Sequence, residues 1–383
     1  MNDENRKILV SDLSYDQDEI DAVVEILKSE WLTMGPKTLE FEKALTDYLG
    51  AKEAIAVNSG TAALHLALLG IGVQSGQEVI VTPMSFVASA NVILYTGARP
   101  VFADVDPETF NIDPMAIENA ITDHTAAILP VHIAGLPAEM DHIMKTAKEH
   151  DLRVLDDAAH AIGAKYRGRL IGTVADISAF SFFSNKNLSV GEGGSITTGM
   201  QEVADKIRLL RSHGLTKSTW SRHHKKEQES YDQLYDMVVL GYNYRITEIG
   251  AALGIVQLNK LSSFNKRRKE VYNVYKDLLG DLPIELQKIP PHVEHSHHVL
   301  PVLVPDGKRP IVRSHLEKHG VGTSIHYTPI HTFTFYQNLG YRIGSLPNAE
   351  MIGRRVVTLP MHQKLTDDDI HFIVGLLKEA LAN

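Results

Sequence analysis

Three short segments carry side chains able to do chemistry together: Asn58-Ser59-Gly60-Thr61-Ala62-Ala63, Leu155-Asp156-Asp157-Ala158-Ala159-His160 and Ser181-Phe182-Phe183-Ser184-Asn185-Lys186. The first follows a β-branched run and opens an apolar helical stretch, so its free backbone amides and hydroxyls suit an anion such as phosphate. A capped helix after a tight turn has the same pattern, and the segment is neither a Walker A loop nor a dinucleotide glycine fingerprint. The second ends a strand whose Val154 and Leu155 are apolar, which puts two carboxylates where α/β sheets bind ligands. Alternation along the strand end aims Asp156 and Asp157 in opposite directions. The third places Lys186 in an irregular loop before Gly191-Glu192-Gly193-Gly194. A lysine enclosed there is desolvated and nucleophilic, whereas one in a surface turn is inert. A phosphate cup, a carboxylate for a pyridinium nitrogen and a Schiff-base lysine are together the inventory of a pyridoxal-phosphate site.

Other polar clusters carry weaker chemistry. Lys217 to Lys226, with Arg222, Lys225 and Lys226, reads as a solvated loop or as one that orders over an anionic diphosphate. His292, His295, His297 and His298 lack the spacing of a tetrahedral metal site, and the Asp156-Asp157 pair has no further ligands at recognised spacing, so no metal is expected. Asp104, Asp106, Glu108, Asn111 and Asp113 mimic a calcium loop, but Thr109 stands where that loop needs glycine.

The elements that must hold these segments can be read from periodicity. Apolar residues at Ile20, Val23, Val24 and Leu27 predict a helix over 16–28, with Gly35-Pro36 in a loop after it. Strands are then expected at 54–57, 78–82, 99–103 and 126–131, alternating with helices from Ala62, near 88–95 and near 114–120. This alternation predicts a largely parallel sheet covered by helices. Further strands at 152–156, 177–180 and 195–198 continue it. Only a short Gly-rich segment joins the last two, which predicts a mixed sheet there. One helical pattern runs from Thr247, as N-cap, to about Leu279, and the remainder, with a strand at 299–304 and helices at 311–319 and 367–381, suffices for a smaller α/β domain. The expected division is 1–255, a large domain with an N-terminal arm, and 256–383, a small domain begun by that long bridging helix.

Length and composition limit the classes. The chain has 383 residues, 44% of them hydrophobic, enough for a sizeable core and against disorder. With 47 acidic and 38 basic side chains the net charge is −9, which argues against nucleic-acid or anionic-membrane binding. There is no cysteine, hence no disulfide framework and no thiolate nucleophile. The polar start lacks a secretory signal and no apolar run would span a bilayer, so a cytoplasmic protein is expected.

The ordered motifs Gly35-Pro36, 58–63, 83–88, 97–105, 130–135, 157–163, 178–194, 241–252 and 326–331 give the chain a resemblance, over nearly its whole length, to the DegT/DnrJ/EryC1/StrS family of sugar aminotransferases. That resemblance implies a fold-type I, aspartate aminotransferase-like α/β architecture. Its large domain would hold a mixed, mostly parallel seven-stranded sheet, and its C-terminal α/β domain would be smaller. It implies pyridoxal phosphate bound to Lys186, with Asp157 on the pyridine nitrogen, His160 near the ring, Phe86 stacked on its face, and Gly60, Thr61 and Ser181 on the phosphate. Asn243 of a neighbouring subunit would complete the phosphate site, making a homodimer part of the chemistry. Arg222 from the basic loop, and Tyr327 and His331 from the 326–331 segment, would meet the substrate.

The activity so implied is transfer of an amino group from an amino acid, glutamate, to a nucleotide-diphosphate-linked keto-deoxysugar. His160, where many relatives carry Gln, points to C4 of a 4-keto-6-deoxyhexose. Amination at C3, other pyridoxal-phosphate chemistry on this fold, and a non-catalytic sensor are the alternatives. Lys186 counts against the sugar dehydratases of the family, which replace it.

Overall fold

The computed structural model of the chain describes residues 7–217, 220 and 235–382. Five parallel strands begin the principal sheet: Glu53–Val57 (β1), Glu78–Val81 (β2), Arg99–Phe102 (β3), Thr125–Leu129 (β4) and Arg153–Asp157 (β5). After a short hairpin, Lys165–Tyr166 (β6) and Arg169–Leu170 (β7), Ile177–Ser181 (β8) and Gly194–Thr198 (β9) complete it in the order β1-β9-β8-β5-β4-β2-β3. β9 runs antiparallel to both its neighbours, β8 and β1, and the other pairs are parallel. The sheet is therefore mixed at the expected place. The connection between β8 and β9 holds no helix and turns straight back, which puts Lys186 at the sheet's C-terminal edge instead of on a covering helix.

Helices Gln17–Lys28 (α1) and Pro36–Leu49 (α2) precede the sheet. Gly60–Gly70 (α3), Ala88–Tyr95 (α4), Pro114–Ala120 (α5) and Met140–Glu149 (α6) fill the connections between its strands, and Gln201–Arg211 (α7) and Glu248–Leu279 (α8) come after it. Strand alternation divides the interior into two cores: Ala54 and Ala56 of β1 face one, Ile55 and Val57 the other. Both faces of the sheet are thus covered by helices, as near-continuous burial of β8 and β9 requires.

Gly35-Pro36 does not sit in a loop. It opens α2, with Gly35 as N-cap and Pro36 in the first turn. Glycine offers no capping oxygen. The buried Glu248 carboxylate, at the start of α8, accepts instead from the amides of Gly35 at 2.8 Å, Lys37 at 2.8 Å and Thr38 at 2.9 Å. A negative charge on three first-turn amides stabilises both the helix end and its attachment to α8.

α8 spans 32 residues, with Thr247 Oγ1 accepting from the Gly250 amide at 3.1 Å as its cap. Its first half packs against α1 and α2, and Val271, Tyr275 and Leu279 enter a third core. That core is built on Glu285–Leu286 (β10), Leu300–Leu303 (β12) and Val356–Leu359 (β13), while Val293–Glu294 (β11) pairs with β6. Arg309–Lys318 (α9), Thr334–Asn338 (α10), Pro347–Arg355 (α11) and Asp367–Ala382 (α12) complete this part of the chain. Ile8 joins the third core and pairs with the Gly320 to Gly322 backbone, so the chain's start is fastened to its C-terminal part. Among the described residues no helix is long and apolar enough to cross a membrane.

Candidate active site

A cavity of about 410 Å³ lies at the C-terminal ends of β5 and β8, walled by Ser59, Gly60 and Thr61, Ser85 and Phe86, Asp157 and His160, Ser181, Asn185, Lys186, and His326 and Tyr327. The three segments singled out in the sequence meet here, as a parallel sheet demands of residues just past the ends of its strands.

β1 leads into α3 through Ser59, whose Oγ accepts from the Ala62 amide at 3.1 Å. The first-turn amides of Gly60 and Thr61 lack intrahelical acceptors and open on the cavity. Gly60 is required by a close approach: a Cβ there would stand 2.7 Å from Ser181 Cβ and 3.2 Å from Ser181 Cα. The end of β8 and the start of α3 thereby form one cup with two amides and the Ser181 hydroxyl.

Asp157 faces the cavity from the end of β5. Its Oδ2 accepts from Ser89 Oγ at 2.7 Å, its Oδ1 from the Ala159 amide at 3.1 Å, and Ser89 is held in turn by Ser85 Oγ at 2.8 Å. Asp156 points to the opposite side, where His132 Nε2 lies 3.1 Å from its Oδ2. Burial pushes the Asp157 carboxyl above the usual range, while Ser89, Ala159 and the charge on Lys186 pull it back. The carboxylate is short of compensating positive charge, which a cationic ring nitrogen would supply.

Lys186 stands opposite on the β8–β9 connection, its backbone amide bonded to Phe183 O at 2.9 Å. Its side chain keeps contact with the cavity, yet protein encloses it closely enough that desolvation lowers the ammonium pKa to about 8, with Asp157 opposing. The neighbouring residue fixes the loop: Asn187 donates to Asn265 Oδ1 at 2.8 Å and to Ser296 O at 2.9 Å, and its Oδ1 lies 3.1 Å from His298 Nδ1.

Imidazoles line the remaining side. Tyr327 OH is 3.0 Å from His160 Nε2, and the His160 ring lies against His298 with centroids 4.5 Å apart. Burial and the nearby Lys186 charge hold His160 and His298 well below the usual histidine range and His326 at about 4, so all three are neutral at pH 7. Burial also drives the Tyr327 phenol upward, which keeps its proton available as a hydrogen-bond donor. The His292 to His298 run, whose spacing argued against a tetrahedral metal site, serves this wall through His298.

Residues 14–378 match the model of the DegT/DnrJ/EryC1/StrS aminotransferase family. The chain belongs to that family. Over 373 residues it is 40% identical to SpsC, a spore coat polysaccharide biosynthesis protein of Bacillus subtilis, an alignment that covers 95% of this chain and 94% of that one. Among solved structures, the putative sugar aminotransferase Spr1654 of Streptococcus pneumoniae, in its PMP form, superposes with a TM-score of 0.91 at 32% identity and covers 99% of each chain. PseC of Helicobacter pylori, an aminotransferase involved in the biosynthesis of pseudoaminic acid, does so with a TM-score of 0.90 at 32% identity, covering 98% of this chain and 100% of its own. The protein is a sugar aminotransferase of fold type I, and its cofactor is pyridoxal phosphate.

The cavity of the aminotransferase fits that group on its own geometry. Two buried polar atoms, Asn185 Oδ1 and His160 Nδ1, have no hydrogen-bond partner, and the Gly60–Ser181 cup leaves open the space a Cβ would fill. The expected site residues are distributed unevenly around it. Gly60, Thr61, Phe86, Asp157, His160, Ser181, Lys186 and Tyr327 all wall the cavity. Phe86 is 60% exposed at its rim. Asn243 does not line it: its side chain is exposed, and its backbone O accepts from Asn58 Nδ2 at 3.4 Å. His331 does not line it either: its Nε2 lies 3.0 Å from Glu350 Oε1 in the interior. Arg222 lies outside the described residues. Sequence reasoning misses Ser85 and Ser89, whose spacing of four on a helical start brings both hydroxyls to one side, and it misses Asn185 and His298.

Proposed function

We propose that this aminotransferase carries an amino group from glutamate to the keto carbon of a nucleotide-diphosphate-linked keto-deoxysugar, at C4 of a 4-keto-6-deoxyhexose. The observation that carries the reading is the placing of one enclosed lysine, Lys186, in a single cavity with the carboxylate of Asp157 and the Tyr327–His160 pair. SpsC and PseC, related to polysaccharide and pseudoaminic acid biosynthesis, support a sugar acceptor. The choice of C4 rests on His160 alone.

Gly60, Thr61 and Ser181 would hold the cofactor phosphate, Asp157 would meet the ring nitrogen, Phe86 would cover one face and His160 would border the ring. When bound, pyridoxal phosphate supplies an electron sink that stabilises negative charge on a substrate carbon. Ser89 and the Ala159 amide fix the Asp157 carboxylate so that its charge is oriented before substrate arrives. Lys186, with a pKa near 8, has a usable fraction of neutral amine at neutral pH, and takes the proton from the donor α-carbon and returns one to the sugar carbon that receives nitrogen. Tyr327 stands where it would orient the acceptor sugar, its hydroxyl positioned by His160.

Asn243 would reach the phosphate cup of a second copy. Exposed Tyr235, Met237, Val238 and Leu240, the last 80% exposed, precede it and support a covered surface there. Arg222, outside the described residues, would pair with the diphosphate. The division at residue 255, and a cytoplasmic site of action suited to a chain without cysteine, belong to the same proposal. The test is incubation with glutamate and a panel of 3-keto and 4-keto nucleotide sugars, with the new amine located by NMR. Amination only at C3 overturns the regiochemistry, and no amination of any member overturns the substrate class.

A further inference from the structure

A second cleft lies apart from the active site. It has a volume of about 720 Å³ and lies between the second half of α8 and residues 286–297. Ser262, Asn265, Lys266, Lys269, Tyr272, Asn273 and Lys276 of α8 line it, at spacings of three and four that put them on one stripe of the helix. Lys266, Lys269 and Lys276 form no ion pair among the described residues. From Lys266 to Lys276 the row rises about 15 Å along the helix.

The opposite wall is apolar and aromatic. Leu286, Ile289, Pro290 and Val293 line it, and the His295 and His297 rings stack with centroids 4.4 Å apart. The Tyr272 ring centroid lies 4.6 Å from that of His297. This wall is built: buried Gln287 donates to Thr109 O at 2.6 Å, its Oε1 lies 3.4 Å from His295 Nε2, and the His297 amide donates to His295 Nδ1 at 2.7 Å. The acidic Glu294 in the cleft is engaged by Lys165 at 3.2 Å, and Lys288 by Glu108 at 2.6 Å. Three uncommitted ammonium groups therefore face stacked rings across a cleft of ligand size.

We propose that this cleft binds a nucleoside diphosphate, its phosphates along Lys266, Lys269 and Lys276 and its base against the Tyr272, His295 and His297 rings. A bare inorganic anion would use only the cationic side, and an apolar molecule only the other; a nucleotide uses both. The site is separate from the catalytic cavity, although Asn265 joins the two by accepting from Asn187, the neighbour of Lys186.

The experiment is calorimetric titration of the holoenzyme with ADP and with pyrophosphate, repeated on the Lys269→Glu/Lys276→Glu double variant. ADP should bind the wild type more tightly than pyrophosphate, and the double variant should bind ADP at least about tenfold more weakly while retaining turnover. No heat of ADP binding at millimolar concentration overturns the proposal, as does ADP affinity unchanged by the double substitution, which would locate the nucleotide in the catalytic cavity. Equal affinities for ADP and pyrophosphate overturn the assignment of a base subsite.

Discussion

Asp156 and Asp157 are adjacent in the chain and serve opposite sides of the sheet: Asp157 accepts from Ser89 Oγ at 2.7 Å beside the cavity, and Asp156 lies 3.1 Å from His132 Nε2 in the interior. The Ala138 amide donates to His132 Nδ1 at 3.0 Å, which leaves Nε2 as the nitrogen that donates to Asp156. One carboxylate is placed for chemistry and the other for holding β5 to the turn after β4.

Substitutions should separate those two tasks. Asp157→Ala should lower kcat by roughly 10²–10⁴, the rate equivalent of about 3–5 kcal/mol for a buried charge left without its partner, with little change in melting temperature. Asp156→Ala should leave His132 unsatisfied and cost about 1–3 kcal/mol of stability, with a smaller loss of rate. Steady-state kinetics and thermal unfolding on both variants decide the matter; a greater rate loss in Asp156→Ala would reverse the assignment.

Lys186 makes a prediction in pH. Its folded pKa is about 8 and its ordinary value 10.5, so between those values the unfolded chain holds a proton that the folded chain has released. Stability of the cofactor-free protein from this group should rise as pH climbs from 8 to 10.5 and be lost as pH falls back, by up to about 3 kcal/mol. Lys186→Met should flatten that part of the profile in denaturant unfolding. Lys186→Ala should also fold yet lose turnover, and borohydride trapping of cofactor with subsequent peptide mapping should mark Lys186 in the wild type only.

Gly60→Ala tests the cup. The added Cβ would stand 2.7 Å from Ser181 Cβ, so α3 and the end of β8 must separate. Pyridoxal-phosphate affinity should fall about tenfold or more, corresponding to at least about 1.4 kcal/mol. Gly60→Ala/Ser181→Gly removes the 2.7 Å contact but leaves 3.2 Å to the Ser181 Cα position, and should recover part of the stability without recovering affinity, because the Ser181 hydroxyl is gone. Full recovery of affinity in the double variant would remove Ser181 from the phosphate site.

Local pattern makes the sheet and its loops legible. The βα alternation, Thr247 as a cap and the short β8–β9 connection are all matters of residues close in sequence. The start of α2 is not legible, since its cap is Glu248, more than 200 residues away, and Gly35-Pro36 alone reads as a turn. The partner of His331 is not legible either, because Glu350 meets it only where α11 docks. Asp157 and Lys186 can be found because residues at and just beyond strand ends open on the ligand crevice, whereas the Ser89 contact depends on where α4 docks.

Shared sites give the last prediction. Asn243 has an exposed side chain and does not line its own chain's cavity, so a role in phosphate binding requires delivery to a second copy. In a dimer with two-fold symmetry each chain then receives Asn243 from its partner and contributes its own to the partner's site. Lys186→Ala homodimers should be inactive, and Asn243→Ala homodimers should bind cofactor weakly. A mixed dimer has one site with both lesions and one with neither. If chains redistribute freely, half the dimers are mixed, and about a quarter of all sites regain wild-type composition. Activity of the mixture, after subunit exchange, should approach that fraction of the wild-type value. Activity no greater than the sum of the two separate variants, or a fully active monomer by light scattering, would confine the site to one chain.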